Sequence, residues 1–143
     1  MYKKDFIRLA KKIGFHDPRV VKSSPIKIED KQTEKLVGNI NFESITYRLF
    51  KIDELEDACE DFGQAVIYKG TIPGYPDKFT LDEGHIFETG RSALICGNTF
   101  LMLNQSRFNE HFEYFGSMNV HFGEFKDCGV TIESSSDTFD CGC

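Results

Sequence analysis

The sequence predicts an α+β domain whose mainly antiparallel sheet carries one long helix. Through the middle of the chain, short runs either alternate apolar and polar residues or are apolar throughout, as sheet strands do. Turn residues separate these runs at short intervals, which is typical of antiparallel hairpins. One later run, after residue 96, instead spaces its apolar residues as a helix does. Such a helix packs its apolar face on the sheet.

The first element is a helix predicted over residues 2–13, followed by Gly14 and by a short strand at Val20 and Val21. One face of this helix is apolar, and the lysines occupy the other faces. The apolar residues are Tyr2, Phe6, Leu9, Ala10 and Ile13. A helix, a glycine and a strand in this order look like the end of a βα unit whose beginning is missing.

The next stretch, residues 23–41, is polar, contains Pro25 and predicts a linker with one helical turn at Lys31–Val37. The run NFESITYRLF then alternates with period two, which predicts a half-buried strand. Residues 64–70 are apolar on both faces and predict a central strand. KFTL and HIFET flank the turn sequence Asp-Glu-Gly at 82–84, which predicts a hairpin, and SALIC is one more strand.

The long helix is predicted to begin at an Asn98 or Thr99 cap and to end at Gly116. Its apolar face consists of Leu101, Phe108, Phe112 and Phe115. The run MNVHFGEF after it predicts a short strand. Beyond Lys126 the chain is rich in Ser, Asp and Gly, which predicts a flexible, cysteine-containing tail.

Composition and charge exclude several functional classes. The 143 residues amount to about one domain, and the net charge is −6, from 17 basic and 23 acidic residues. No Lys/Arg-rich run is present, so nucleic acid is not an expected partner. No run approaches the ~20 apolar residues of a membrane span, and the charged N-terminus does not resemble a signal peptide. Five cysteines fit poorly with a closed disulfide set. We therefore expect a cytoplasmic protein with reduced thiols and no membrane contact.

Familiar catalytic and cofactor motifs are missing from the sequence. It has no GxGxxG or P-loop spacing, and no HExxH, CxxC or GxSxG motif. The four histidines are scattered, which favours surface or capping roles over metal ligation. We therefore predict no catalytic residue and no cofactor-binding residue in this chain.

Cys59 is the residue with the clearest chemical signal, because it lies in the acidic run ELEDACED. Reactive thiolates need electropositive surroundings, and the neighbouring carboxylates provide the opposite. These are Asp53, Glu54, Glu56, Asp57, Glu60 and Asp61. A nucleophilic role is therefore disfavoured, whereas ligation of a soft element can itself drive deprotonation of a thiol. An acidic surface loop that happens to contain a cysteine is the alternative.

The remaining cysteines carry weaker signals. Cys96 ends a predicted strand and is expected to be buried, and Cys128 has no predicted role. The terminal pair, Cys141 and Cys143, can chelate a soft ion or can be passive, and the sequence leaves both open.

Two long runs resemble a known family. NFESITYRLFKIDELEDACEDFGQAVIYKGTIPG resembles the arsenite-binding region of arsenite S-adenosylmethionine methyltransferases, and FTLDEGHIFETGRSALICGNTFLMLNQSRFNEHF is similar to the segment that follows it. DFIRLAKKIGFHDPRVV resembles the closing helix and strand of the Rossmann-like methyltransferase domain of that family. The likeness covers about residues 1–128, and it implies three parts. These are residues 1–22 from the end of that domain, 23–128 as an arsenite-binding α+β domain, and 129–143 as the tail.

The resemblance also implies a chemistry. In the family, thiolates displace the hydroxyls of trivalent arsenic, and the arsenic lone pair then attacks the methyl group of S-adenosylmethionine. The cysteine of the ACED element is an arsenic ligand, and it maps onto Cys59 here. The expected partners are arsenite or methylarsenite, a thiol reductant, and the domain that binds S-adenosylmethionine. That domain is missing here, so we expect an excised C-terminal fragment that is inactive alone.

Two alternatives stay open at this point. The chain can be a free-standing binding module that captures arsenicals or soft metals through Cys59, Cys141 and Cys143. It can also be a structural domain that only covers a methyltransferase active site. In that case, residues 1–22 should expose an apolar face.

Overall fold

Three helices and three small antiparallel sheets make up residues 1–126, the part of the chain that the computed structural model describes. In chain order the elements are α1 (Lys3–Lys12), β1 (Arg19–Ile26), α2 (Lys31–Val37), β2 (Phe42–Arg48), β3 (Gln64–Tyr68), β4 (Lys78–Asp82), β5 (His85–Glu88), β6 (Ser92–Ile95), α3 (Gly97–Asn104) and β7 (Phe112–Phe115), with a 3-10 turn at Asn109–His111. Each ladder between these strands is antiparallel. The predicted α+β class is therefore confirmed.

The central sheet has the strand order β6-β3-β7, so β3 lies in the middle as predicted. Val66 and Tyr68 of β3 are fully buried. The Tyr68 ring lies in an aromatic cluster, with centroids 5.2 Å from Phe112 and 6.0 Å from Phe79. The Tyr68 hydroxyl donates to the Tyr75 carbonyl oxygen at 2.5 Å, which satisfies its polar end inside the core.

The predicted hairpin is present as β4 and β5, which pair from Lys78↔Glu88 to Asp82↔His85. The Asp82 carboxylate accepts a hydrogen bond from the Gly84 N–H at 2.8 Å. This local bond between a side chain and the backbone two residues later is the reason that Asp favours such a turn.

The remaining strands, β1 and β2, form a two-stranded ribbon from Arg19↔Arg48 to Ile26↔Phe42. Residues 23–26 therefore belong to a strand, and the predicted linker was wrong for them. The strand tolerates Pro25 because a two-stranded ribbon has only edges, where the missing N–H costs no ladder bond. The strand also crosses the predicted domain boundary between residues 22 and 23. The helical turn predicted at Lys31–Val37 is confirmed as α2.

The predicted long helix was wrong in its extent. α3 ends at Asn104, and residues 112–115 form strand β7 against β3. The Ser106 hydroxyl accepts from the Phe108 N–H at 3.3 Å, and the Ser106 carbonyl accepts from Asn109 N–H at 3.2 Å. These local bonds replace the i−4 helical bonds and turn the chain. The sulfur of Cys96, rather than Asn98 or Thr99, caps the helix by accepting from Thr99 N–H at 3.5 Å.

The strand predicted in MNVHFGEF was also wrong, apart from one bridge between Glu124 and Glu60. α1 matches its prediction within one residue at each end. Its Phe6 ring packs on Tyr47 of β2 with centroids 4.5 Å apart, whereas Ile13 stays 62% exposed. Part of the apolar face of α1 is therefore open to solvent.

Candidate functional site

Cys59 lies in the connection between β2 and β3, and we call residues 51–63 the Cys59 loop. Ile52 and Leu55 anchor this loop, because both side chains are buried in the hydrophobic core. Four carboxylate residues of the loop are exposed, namely Asp53, Glu54, Glu56 and Asp57. Their charges therefore face water, and Cys59 itself is half-buried. Burial of two apolar side chains fixes the loop while leaving its acidic surface outside.

The first turn of α3 holds the Cys59 loop. The Asn98 side chain, which is only 4% exposed, accepts from Glu56 N–H at 2.9 Å and donates to the Glu56 carbonyl at 2.7 Å. The Gly97 N–H donates to the Glu60 carbonyl at 2.9 Å. A side chain at position 97 would place its Cβ only 2.9 Å from the Phe62 ring, so the close approach requires glycine. The loop is thus held on both sides of Cys59.

The segment after β7 holds the Cys59 loop from the other side. The Phe125 N–H donates to the Cys59 carbonyl at 2.6 Å. Asp61 exchanges two backbone hydrogen bonds with this segment, at 2.8 Å each, through Gly123 and Phe122. The His121 imidazole also contacts the Glu60 carboxylate. Backbone bonds therefore fix the peptide around Cys59.

The sulfur of Cys59 is in a disulfide bond in this structure. The expectation of reduced thiols is therefore wrong for Cys59, and ligation by this sulfur would require that the bond first be reduced. Cys96, by contrast, is fully buried at the start of α3, and the prediction of its burial is confirmed. Within residues 1–126, no group of three or more His, Cys, Asp or Glu side chains is arranged to hold a metal ion. Cys128, Cys141 and Cys143 lie outside the described residues.

A buried ionic network joins β1 to the hairpin and to α3. The Arg19 guanidinium donates to Asp17 and to Asp82, at 2.8 Å each, and Asp17 also accepts from the Asn98 amide at 3.1 Å. Burial alone would lower the pKa of Arg19, but the two carboxylates outweigh it and raise that pKa. The network therefore stays charged, and through Asn98 it continues to the Cys59 loop.

The carboxylate of Asp82 has a second polar neighbour, because His85 Nδ1 lies 2.8 Å from it. Burial would raise the pKa of Asp82, but the hydrogen bonds and charges of His85 and Arg19 lower it below its usual range. Sequence reasoning missed Arg19 as a structural residue, and it assigned Asn98 to a helix cap. The bond from Arg19 to Asp82 joins residues 63 positions apart, and the bond from Glu56 to Asn98 joins residues 42 positions apart. No local sequence pattern signals contacts over such separations.

No described helix has the length and apolar character needed to cross a membrane. The site is an acidic, cysteine-bearing loop of an α+β domain, held between the start of α3 and the segment after β7. This arrangement defines the class of domain, and comparison with known proteins defines its family.

Residues 62–141 match the model of the arsenite methyltransferase C-terminal domain family. An arsenite methyltransferase of Aquipseudomonas alcaligenes is 51% identical over 129 residues, which are 90% of this chain and 37% of that protein. The human arsenite methyltransferase is 34% identical over 114 residues, 78% of this chain and 29% of that protein. The crystal structure of an arsenic(III) S-adenosylmethionine methyltransferase from Chlamydomonas reinhardtii superimposes with a TM-score of 0.82 at 46% identity, covering 87% of this chain and 42% of that one.

The chain therefore belongs to the arsenite methyltransferase C-terminal domain family. It spans less than half the length of the relatives that it matches.

Proposed function

We propose that this chain is the arsenic-binding C-terminal part of an enzyme that methylates trivalent arsenic with S-adenosylmethionine. Family membership and the high identity to arsenite methyltransferases support the proposal. The methyl donor belongs to another domain of the intact enzyme, and this chain supplies no residue to it. Separated from that domain, the chain binds but does not methylate.

In this proposal the reduced Cys59 thiolate is one ligand of the arsenic. Each thiol displaces one hydroxide of arsenite, and the hydroxide leaves as water with the thiol proton. The arsenic keeps its lone pair, which attacks the methyl carbon of S-adenosylmethionine as the carbon–sulfur bond breaks. The other thiolates come from outside residues 1–126. A thiol reductant is required as well, because the Cys59 sulfur is in a disulfide bond.

The observation that carries the assignment is the way in which the backbone around Cys59 is held. Hydrogen bonds reach Glu56, Cys59 and Glu60 from α3 and from the C-terminal segment. A ligand held by rigid neighbours loses little conformational entropy on binding, which favours a preformed position for one thiolate.

The direct test is methyl transfer to arsenite by the intact enzyme with the substitution Cys59→Ser, assayed with S-adenosylmethionine and a thiol reductant. We expect a loss of at least about a hundredfold, because thiolates bind arsenic as a set and a hydroxyl is a poor ligand for a soft element. Cys96→Ser is the matched control. It makes the same atom change at a buried cysteine, and serine is itself a good N-cap. Undiminished activity of Cys59→Ser would remove this residue from the site.

A second experiment addresses binding by the chain alone, and with it the predicted roles of Cys141 and Cys143. Phenylarsenite is titrated against the reduced 143-residue chain, with and without its last three residues. If the tail supplies ligands, truncation weakens binding at least about tenfold, the effect of losing one strong interaction. Equal affinities would leave Cys59 as a ligand and remove the tail pair from the site.

A further inference from the structure

A second concave site lies on the ribbon and hairpin side of the fold, and the Cys59 loop does not line it. It is a cavity of about 420 Å³, in the size range of small-molecule sites. Its apolar wall includes Val21, Ile72, Phe79 and Phe108. Its basic residues are Arg48, Arg107 and His111, and no carboxylate lines it. An all-basic lining is unexpected in a chain with a net charge of −6.

Within residues 1–126, the two arginines of this cavity form no salt bridge, unlike the other arginines. The arginine salt bridges among residues 1–126 involve Arg8, Arg19 and Arg91. Arg48 instead donates through Nη1 to the carbonyl oxygens of Thr80 and Leu81, at 2.9 and 2.7 Å. Those two bonds fix the guanidinium against β4 and leave its remaining N–H groups for other acceptors.

Both guanidiniums lie over the same aromatic ring. The Cζ atoms of Arg48 and Arg107 are 5.3 and 5.1 Å from the centroid of Phe108, and Arg48 is also 5.2 Å from Phe79. Burial lowers the pKa of Arg48 and the charge of Arg107 lowers it further, whereas the charge of Asp82 raises it. Two like charges held near one ring repel each other, and a bound anion would relieve that repulsion.

The third basic group, His111, is oriented by the Thr71 hydroxyl, which lies 2.7 Å from Nδ1. Its Nε2 is 3.5 Å from the carboxylate of Glu110, which is 82% exposed and points into solvent. Glu110 is therefore outside the cavity lining, and water screens its charge.

From this geometry we propose that the cavity binds a small oxyanion, a carboxylate or a phosphate, carried on a flat apolar body. Arginine presents paired N–H donors that match either oxyanion, and the rings of Phe79 and Phe108 in the wall offer an apolar surface for a flat group. The proposal does not rest on the arsenic chemistry of Cys59, and it assigns this domain a second ligand.

The test is a calorimetric titration of the 143-residue chain with four probes. Benzoate and phenyl phosphate carry both parts of the ligand, benzyl alcohol lacks the charge, and inorganic phosphate lacks the apolar body. We expect the two complete probes to bind at least about tenfold more tightly than either incomplete one. The tighter of the two complete probes identifies the headgroup. Binding of benzyl alcohol as tight as that of benzoate, or no binding by either complete probe at millimolar concentration, would overturn the proposal.

Variants locate the site. Arg107 is exposed, so Arg107→Met removes its charge without disturbing the core, and we expect it to weaken benzoate binding at least about tenfold. Arg8→Met is the matched control, because Arg8 is an exposed arginine outside the cavity, and its affinity should equal that of the unchanged chain. Equal binding by Arg107→Met and Arg8→Met would show that the anion is held elsewhere. The melting temperature of each variant verifies that it is folded.

Discussion

The hydrogen bonds of Asn98 give the sharpest quantitative prediction for the candidate site. The side chain makes three bonds, two to the Glu56 backbone and one to the Asp17 carboxylate. At about 1 kcal/mol each, Asn98→Ala would lose about 3 kcal/mol. Glu56 is exposed, so water replaces part of that loss. We expect the free energy of unfolding to fall by about 2 kcal/mol, which is roughly a 30-fold change in the folding equilibrium.

Urea denaturation of the chain, at one fixed redox state, measures that change. Hydrogen exchange adds a local readout, because the Glu56 amide loses its acceptor and should exchange at least about tenfold faster. Asn104→Ala is the control, since it truncates the same side chain at the other end of α3, where the described residues give it no side-chain hydrogen bond. A loss below about 0.5 kcal/mol in Asn98→Ala, with unchanged exchange at Glu56, would refute the clamp.

Three further predictions concern groups outside this clamp. The Gln64 side-chain amide is buried and has no hydrogen-bond partner among the described residues. Gln64→Met should therefore raise the urea midpoint, because it relieves a penalty of about 1–3 kcal/mol. An unchanged or lower midpoint would mean that the amide is satisfied. The pKa of Asp82 is lowered in the folded state, so its contribution to stability is present above pH 3.8 and is lost as the pH falls below that value. The urea midpoint should therefore fall less steeply with acid in Asp82→Asn than in the unchanged chain. Parallel curves of midpoint against pH for the two proteins would contradict this. Burial raises the pKa of Tyr114 to about 12. In an ultraviolet titration, Tyr114→Phe should therefore lose the tyrosine ionisation that occurs at the highest pH. Loss of an ionisation near pH 10, the usual range for tyrosine, would contradict this.

Strands β2 to β6 were predictable because their signals are local. β2 alternates with period two, and β3 is apolar on both faces because it is the middle strand of its sheet. The hairpin of β4 and β5 follows from a turn sequence whose first residue, Asp82, bonds its own backbone. In each case the signal lies within ten residues of the structure that it predicts.

The helix prediction failed where one spacing fits two structures. Phe108, Phe112 and Phe115 lie four and three residues apart, as on a helix face, but Phe112 and Phe115 belong to a strand. In β7, Phe112 is buried, Glu113 is exposed and Tyr114 is half-buried, which is the alternation of a strand. Four residues are too few to distinguish the two periods, and the pairing of Phe112 with Tyr68 decides between them.

The ligand role of Cys59 stays a prediction, and the contacts that support its loop could not be predicted from the sequence. The acidic surroundings of Cys59 argued from the sequence for a ligand over a nucleophile. Asn98 supports the loop across 42 residues of sequence, and Asp17 reaches Asn98 across 81. Neither separation leaves a local pattern. The same bonds connect the Cys59 loop to Arg19 on β1, a strand that a boundary at residue 22 would divide. A cut at that boundary would divide β1, which pairs with β2, and would remove Arg19 from the buried Asp82 carboxylate. Residues 17–26 are therefore needed for the stability of the fold that holds the Cys59 loop.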